Sequence, residues 1–564
     1  MQGIAIREAK KLGFFVIAVD GNPHAVCAEE ADRFEPIDLK DIAALVSFAK
    51  DIQKTIGLDG VFTAATDFSY SVAKIAEACG LKNHSVAACE NATNKYRMRK
   101  CFKNAGLNSL PFFKVTNESI ADLEENLRKH HLDFPLVVKP VDNMGARGCV
   151  KLRSVSELKE AVKKALQYSK SGTAIVEAFI AGKEYSTEGF IIDGKFYITA
   201  IADRHIYFPP YFVEMGHTIP AQITEAETAE LSRVFEAGAR ALGLDYGVCK
   251  GDIFLSGGKA YIGEIAARLS GGYMSGWTVP YSSGLNVTRL ALKLAVGESA
   301  GVIEYLENLT LPPTEKNTKR FCAERAWISI PGRVRTVYGL KRAEKSKGVK
   351  NVFPRALAGD AVSFPTNNVE KCGNILVIAP TYREAAARAE KAARKIVLRL
   401  EPINMHSELF LHAAFVKDFS TLQTTKTFCN TLKAQLSYQD EITFYEYKVL
   451  PNFFTVKKKL LKKLYKKVDN GTCIKKIKNK NIPNTQNENK LKIIFPECFC
   501  PYLKSIFDVQ GRSLLHSLKI LFALDSKLFN FLLQHKKTIL WKRFWGSFLR
   551  GGIQGALYVY DSEK

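Results

Sequence analysis

The sequence lacks the features that mark membrane, secreted and zinc-binding proteins. Its apolar runs fall short of the roughly 18 to 20 residues that a membrane-spanning helix needs, and its N-terminus has no charged segment followed by an apolar one and a cleavage site. The 12 cysteines are scattered singly, apart from Cys498 and Cys500, with no CxxC pair and no Cys/His cluster at zinc spacing. We therefore expect a cytoplasmic protein with reduced thiols.

The net charge of +24 is distributed unevenly along the 564 residues. Residues 421–564 contain 26 lysines and arginines against 10 acidic residues, so about two-thirds of the net charge lies in the last quarter of the chain. Arginine is scarce there and no nucleic-acid-binding motif occurs, so we expect no specific nucleic-acid partner. The composition indicates two parts whose functions are separate.

The stretch 246–272 predicts a β-hairpin that carries two acids and an arginine. Two apolar-rich runs flank a Ser-Gly-Gly-Lys turn. Asp252 and Glu264 then fall near opposite positions on neighbouring strands, where their carboxylates can converge on one hard cation. Arg268 lies just beyond and can take an anionic group. The pattern outlines a Mg-nucleotide site, and a surface hairpin with solvated acids is the alternative.

The first 90 residues alternate helical and strand patterns, which is typical of an α/β domain. A helical pattern at 4–12 is followed by an apolar strand at 14–20, a helix, a second strand at 60–66 and another helix. The chain enters a helix directly, where such a domain normally opens with a strand and a glycine turn. We therefore expect a domain whose first strand is missing.

Two strands farther along carry charged residues that suit a nucleotide. Lys139 ends a buried-type strand beside the loop 142–148, whose backbone N–H groups suit phosphate together with the ammonium; an ordinary hairpin turn is the alternative. Glu177 lies inside an apolar strand, where an acid is costly without a partner. That partner is either an adenine amino group or ribose hydroxyl, or a salt bridge.

Taken in order, these segments resemble the ATP-grasp superfamily of carboxylate ligases from residue 1 to about 415. The motifs are NK followed by RMR at 94–99, VVKP with its glycine loop at 137–148, VEAFIAGKE at 176–184, and KGD followed twelve residues later by GEIAARLSGG. Their order and spacing together are highly specific. The EIAAR form is similar to the subgroup of L-amino-acid ligases.

The resemblance implies Mg-ATP as the cofactor, with Mn²⁺ as the alternative cation. The residues that match nucleotide-binding positions are Lys95 and Lys139 for the phosphates, Glu177 with the backbone of Phe179 and Ile180 for adenine, and Glu184 for ribose. Asp252 and Glu264 match the metal ligands, and Arg268 matches the arginine that orients the acyl phosphate or substrate carboxylate. Ala266 stands where many members have an asparagine that helps to bind metal or phosphate.

The segment 203–224 is too rich in proline and aromatic residues for a helix. A similar segment lines the acceptor pocket of amino-acid ligases. By that resemblance Glu214 would meet a substrate ammonium and His217 would donate to the carbonyl oxygen of the acyl phosphate; a structural histidine is the alternative. An amphipathic helix at 225–242 follows, with Thr224 and Glu227 at capping-box spacing.

The predicted fold class is α/β: an ATP-grasp fold with a truncated N-terminal Rossmann-like domain, a small α+β C-terminal domain and a basic helical tail. The expected divisions are residues 1–90, 91–300, 301–415 and the extension 421–564. The C-terminal domain includes a long alanine-rich helix over 382–400.

The extension is open to three interpretations. A lysine-rich helix and an Asn/Lys-rich linker occupy 456–490, and apolar and basic residues alternate over 500–550. A small helical domain docked on the ligase is favoured over a surface for anionic lipid and over a nonspecific nucleic-acid contact. On that basis we expect that deletion of 421–564 leaves ATP binding intact.

These expectations combine into one predicted activity. The protein would activate a small-molecule carboxylate as an acyl phosphate and couple it to an amine, releasing ADP and phosphate; a homodimer is allowed. One alternative is a bicarbonate-using carboxylase-like or carbamoyl-phosphate-synthase-like enzyme. Another is an ATP-binding scaffold with decayed catalysis, motivated by the missing strand, Ala266 and the basic extension.

Overall fold

The computed structural model describes residues 2–318, 320–411, 512, 514–536 and 538–563. The helices are α1 (Gln2–Lys11), α2 (Ile42–Thr55), α3 (Ser69–Cys79), α4 (Val86–Thr93), α5 (Lys95–Asn104), α6 (Leu123–Lys129), α7 (Leu158–Tyr168), α8 (Glu225–Ala241), α9 (Val279–Ser283), α10 (Val287–Ala295), α11 (Ser299–Glu307), α12 (Leu340–Glu344), α13 (Tyr382–Ala393), α14 (Leu514–Leu524), α15 (Leu528–Gln534) and α16 (Ile539–Ser562). The strands are β1 (Ile17–Val19), β2 (Arg33–Glu35), β3 (Phe112–Val115), β4 (Leu136–Pro140), β5 (Val150–Leu152), β6 (Ala174–Ala178), β7 (Lys183–Ile192), β8 (Lys195–Tyr207), β9 (Val213–Ile219), β10 (Gly247–Ser256), β11 (Lys259–Ala266), β12 (Phe321–Trp327), β13 (Gly332–Tyr338), β14 (Val349–Pro354), β15 (Ala361–Val362), β16 (Gly373–Ala379) and β17 (Val397–Leu400).

The N-terminal region contains a small parallel sheet of β1 and β2. The predicted strand over 60–66 is wrong: Ala64 makes an isolated bridge to Leu269, and the Ala65 amide donates to the carbonyl oxygen of Leu269 at 3.2 Å. The apolar run is therefore held by the loop that follows β11 instead of by β1. A strand needs a neighbour along its length, and this segment has one at a single position.

A four-stranded antiparallel sheet, in the order β3-β6-β4-β5, carries the predicted nucleotide segments. Leucine, valine and alanine side chains of α6 and α7 pack on one face of this sheet, in a core that includes Val138 and Val176. Lys139 lies in β4, and Glu177 of β6 is paired with Val137. The two charged residues therefore occupy neighbouring strands.

The largest sheet has eight strands, in the order β11-β10-β7-β8-β9-β12-β16-β14. The predicted hairpin is confirmed, and Asp252 is directly opposite Glu264. The predicted helix before it is also confirmed as α8, whose capping box is formed by Thr224 and Glu227. Because β12, β14 and β16 belong to the C-terminal region, this one sheet joins the hairpin to that region.

The C-terminal region adds a small sheet of β15, β13 and β17. The prediction of one helix over 382–400 is wrong at its end, because α13 ends at Ala393 and β17 begins at Val397. The sequence Val-Leu-Arg-Leu pairs with β13, and β-branched and large apolar side chains favour that arrangement. Tertiary pairing thus overrides the helical pattern.

Three helices of the extension are docked on the C-terminal region. Buried side chains of α14, α15 and α16, including Phe544 and Trp545, share one core with Trp327 and Ile330. The Gln554 side chain accepts from the Ile330 amide at 3.1 Å, so α16 also satisfies backbone of this region. The lysine-rich stretch 456–490 lies outside the described residues.

This packing changes one expectation about the extension. Deletion of 421–564 would remove part of the core of the C-terminal region, so we no longer expect the deletion to leave ATP binding intact. Among the residues that the structure describes, no helix is both long enough and apolar enough to cross a membrane.

Leu532 and Leu533 in α15 provide a matched test of the docking. Leu532 is fully buried, whereas Leu533 is 38% exposed. We expect Leu532→Ala to lower the free energy of unfolding by about 2 to 5 kcal/mol, because it leaves a cavity in the shared core, and Leu533→Ala to lower it by less than about 1 kcal/mol. Urea unfolding of both variants measures this difference, and equal losses would contradict the docking.

Candidate active site

A cavity of about 500 Å³ is lined by residues of both large sheets and of the C-terminal region. Every residue that the sequence predicts for the site lines this cavity: Lys95, Lys139, Glu177, Phe179, Ile180, Glu184, Glu214, His217, Asp252, Glu264 and Arg268. Residues separated by up to 173 positions in the chain therefore meet in one place.

Asp252 and Glu264 are the two acids that the sequence predicts as metal ligands. They face each other across β10 and β11. Burial raises the pKa of Asp252, but Arg204 and Lys250 outweigh it and hold that pKa below its usual range. Two carboxylates on facing positions are donors that Mg²⁺ or Mn²⁺ prefers. Ala266, which is buried, adds no donor there.

Lys95 is positioned by a helix start. The side chain of Asn94 accepts from the amides of Tyr96 and Arg97, both at 3.1 Å, which caps α5 and makes Lys95 its first residue. Its ammonium donates to the carbonyl oxygen of Asn143 at 2.8 Å and lies 3.6 Å from Glu264. Lys95 therefore links the glycine loop to the carboxylate pair.

Glu177 is held by two cations. Its carboxylate accepts from Arg99 Nε at 2.9 Å and is ion-paired with Lys139. Burial raises the pKa of Glu177, but Arg99 and Lys139 outweigh it and lower the pKa to about 2. Of the two partners that the sequence left open, the structure shows the salt bridge. Glu177 thereby fixes the direction of Lys139.

Arg204, which sequence reasoning missed, connects three carboxylates. Its Nη1 is ion-paired with Glu184 and lies 3.0 Å from Asp252 Oδ2, while its Nη2 lies 2.8 Å from Glu214 Oε2. The guanidinium fork suits several oxygens at once. Three acids expected in one pocket were the available signal that a cation had to lie among them.

The acids around Arg204 differ in protonation behaviour. Burial raises the pKa of Glu184 to about 7, although Arg204 opposes the shift. Burial also raises the pKa of Glu214, but there Arg204 and Lys371 outweigh it and lower the pKa to about 2. Glu184 is thus the acid of this group that takes up a proton near neutral pH.

His217 has both ring nitrogens engaged. Nδ1 lies 2.9 Å from Glu324 Oε2, and Nε2 lies 2.6 Å from Thr278 Oγ1. Donation to a substrate oxygen, as the sequence predicts, would require one of these contacts to break. Glu324 also accepts from Asn374. Sequence reasoning missed Glu324 because it lies in β12, outside the acceptor segment, and has no motif of its own.

A further acid, Asp67, shapes the site. Asp67 Oδ1 accepts from Arg268 Nη2 at 3.1 Å and from Nε at 3.3 Å, and this pairing orients Arg268. Burial raises the pKa of Asp67, but Arg268 and Lys95 outweigh it and lower the pKa. One ligand atom each from Glu214, His217 and Glu324 lie within 4.8 Å of one another, so this group could hold a metal ion. Arg204 competes there for Glu214.

The Arg204 guanidinium can be tested by removal. We expect Arg204→Met to lower the free energy of unfolding by about 3 to 5 kcal/mol, because three buried carboxylates lose their common cation. Arg204→Lys keeps the positive charge but not the branched guanidinium, so its free energy of unfolding should fall by less. Urea unfolding at neutral pH compares the variants. A methionine variant as stable as the wild type would show that Arg204 does not balance these acids.

The raised pKa of Glu184 predicts that the free energy of unfolding depends on pH. Its folded pKa of about 7 lies above its ordinary value of 4.5, so between these values the folded protein retains a proton that the unfolded chain has released. Its contribution to stability is therefore present below about pH 4.5 and is lost as pH rises through 7. We expect Glu184→Gln to abolish this loss, about 3 kcal/mol. Urea unfolding of nucleotide-free protein from pH 5 to 8 measures it, and parallel profiles for wild type and variant would contradict it.

Comparison with known proteins identifies two regions of this chain. Residues 132–276 match the family model of the ATP-grasp domain. Residues 326–401 match the model described as L-amino acid ligase C-terminal domain 2. The first region contains the strands of the four-stranded and eight-stranded sheets that line the cavity. The second region contains β16, which pairs with the strand that carries Glu324.

Curated relatives are identical to this chain at about a quarter of the aligned positions. An uncharacterized protein, y4rH, of Sinorhizobium fredii is 23% identical over 394 residues, which cover 69% of this chain and 78% of that protein. Alanine–anticapsin ligase of Bacillus subtilis is 25% identical over 248 residues, covering 39% and 51%. The carbamoyl phosphate synthase large chain of Thermotoga petrophila is 24% identical over 394 residues, covering 68% and 33%. The chain thus spans about half and a third of the latter two proteins.

Solved structures show the same fold. L-amino acid ligase from Bacillus licheniformis superposes with a TM-score of 0.62 at 24% identity, covering 71% of this chain and 96% of that one. Phosphoribosylglycinamide synthetase from Anaerococcus prevotii gives a TM-score of 0.54 at 20% identity, covering 71% and 97%. The predicted ATP-grasp fold class is therefore confirmed.

Proposed function

We propose that this chain, in which an ATP-grasp domain match is followed by a match to the C-terminal domain 2 of L-amino acid ligases, is an ADP-forming carboxylate-amine ligase. Its substrates are ATP, a small-molecule carboxylate and a small-molecule amine. The observation that carries the proposal is the Asp252/Glu264 pair facing Lys95 within the cavity that Lys139 and Arg268 also line.

The first step forms the acyl phosphate. A carboxylate oxygen of the acid substrate attacks the γ-phosphorus of ATP, and the bond to the bridging oxygen breaks to release ADP. Lys95 and Lys139 bind the phosphate oxygens and orient the triphosphate of ATP in line with the attacking oxygen. Asp252 and Glu264 would hold the divalent cation, which neutralises charge on the phosphoryl oxygens when it is bound.

The second step forms the C–N bond. The amine nitrogen attacks the carbonyl carbon of the acyl phosphate, inorganic phosphate leaves, and the amine loses a proton. Arg268, which Asp67 holds in place, orients the acyl phosphate by its guanidinium. Glu214 lines the same cavity, and its carboxylate binds a substrate ammonium. No protein nucleophile is needed.

Two alternatives have less support. A scaffold with decayed catalysis would need the residues for ATP but not Arg268, which lines the cavity and is held in place by Asp67. A bicarbonate-using enzyme needs a smaller acid site, whereas here Arg355, Lys371 and Asn374 extend the cavity into the C-terminal region. Bicarbonate-dependent ATP hydrolysis without an organic acid would favour that second alternative.

The ligase proposal is tested by a panel of carboxylates and amines. With ATP and Mg²⁺, the correct pair should give ADP, phosphate and a product whose mass equals that of acid plus amine minus water. Release of AMP and pyrophosphate would contradict the proposed chemistry.

Glu264 provides the matched variant for this assay. Glu264→Gln is nearly isosteric but removes a negative cation ligand, so we expect turnover to fall by about 100-fold or more with the fold retained. Lys259→Gln, at the exposed start of the same strand, is the control and should keep wild-type turnover. If both variants turn over like the wild type, Glu264 has no part in the chemistry.

A further inference from the structure

A segment of the C-terminal region touches both sides of the cavity. Residues 366–371, which we name the strap, lie between β15 and β16. The Asn368 amide donates to the carbonyl oxygen of Gly145 at 2.9 Å, in the glycine loop. Asn368 Oδ1 accepts from the Glu214 amide at 2.7 Å, and Lys371 Nζ donates to the Glu214 carbonyl oxygen at 2.8 Å, in the acceptor strand β9.

The strap has its own internal bonds. The Thr366 amide donates to Glu370 Oε2 at 2.6 Å, and the Thr366 hydroxyl donates to the same oxygen at 3.1 Å. The Val369 amide donates to Asn367 Oδ1 at 2.9 Å. Asn367 and Lys371 are buried. The strap is therefore a preorganised turn that can pass a displacement from one neighbour to the other.

Glu214 is fixed from two directions. The strap holds its backbone at both the amide and the carbonyl oxygen, while Arg204 holds its carboxylate. Because backbone and side chain have separate anchors, the direction of the carboxylate depends on where the strap lies. Any shift of Asn368 and Lys371 would move Glu214 relative to Arg204.

The glycine loop is the other end of this connection. Gly145 has φ of 69°, a conformation that glycine adopts without strain. The loop is also held by Lys95 through the Asn143 carbonyl oxygen at 2.8 Å. A phosphate that engages Lys95 and the loop amides would thus act on a segment already hydrogen-bonded to Asn368.

We propose that Asn368 and Lys371 are positioning residues that couple the glycine loop to the acceptor strand, so that a bound nucleotide fixes Glu214 for the second substrate. This inference rests on the proposed function, since it takes the glycine loop as the phosphate site. The coupling is reciprocal: an acceptor that orders Glu214 raises nucleotide affinity by the same factor. The C-terminal region thereby positions Glu214 in addition to forming part of the cavity wall.

The experiment is amide hydrogen exchange of the full chain with and without Mg-AMPPNP, a nonhydrolysable probe. In the wild type, the probe should slow exchange in peptides covering 143–148 and in peptides covering 213–219. We expect about tenfold slower exchange of the Glu214 amide, the scale of one hydrogen bond. In Asn368→Ala/Lys371→Met, the probe should still protect 143–148 but leave 213–219 unchanged.

Two further variants separate coupling from simple loss of structure. Asn368→Asp keeps an acceptor for the Glu214 amide and should restore the response at 213–219. Val369→Ala alters a side chain that is 48% exposed and should respond like the wild type. Equal protection of 213–219 in the double variant and the wild type would overturn the coupling. Absence of protection at 143–148 in the wild type would overturn the proposed nucleotide site and, with it, the coupling.

Discussion

The site depends on one buried guanidinium. Glu184, Glu214 and Asp252 come from three different strands, and without Arg204 their charges would repel one another in a medium that screens poorly. A lysine would offer a single point of charge, whereas the arginine fork reaches all three. Because Glu184 and Asp252 belong to the expected nucleotide half and Glu214 to the acceptor half, the two halves meet at Arg204. The cost of burying acids is offset at the place where the substrates must meet.

The same principle of paired anchors recurs around the cavity. Asp67 holds Arg268, Glu177 holds Lys139, and Glu324 holds His217. In each case a side chain that we propose to contact the substrates has a partner elsewhere in the fold, and this partner restricts its rotamers. Such preorganisation lowers the entropy lost on binding.

Sequence motifs predicted the parts of this site that depend on residues close together in the chain. The turn at 256–259 predicts the hairpin and brings Asp252 near Glu264, and a one-residue register shift between Asp252 and Ile253 then places the two acids directly opposite each other. No such rule identified Arg204 of β8, Glu324 of β12 or Asp67 of the loop before α3, because a single charged residue looks the same in the sequence whether it meets an ion pair or a ligand. The strand expected at 60–66 failed for a related reason, since pairing depends on a neighbour 200 residues away. The alternation of apolar and basic residues in the extension did not reveal which face was packed.

The docking of α16 also bears on how the protein is made. Arg399 is ion-paired with Asp561, 162 residues later in the chain, with Arg399 Nε 2.6 Å from the carboxylate. Since synthesis proceeds from the N-terminus, the nucleotide segments leave the ribosome long before the helix that completes the core beneath β12. During that interval Trp327 and Ile330 lack their cover, and the strand that presents Glu324 has an incomplete support. The strand that presents Glu324 is therefore fully packed only after α16 has been synthesised.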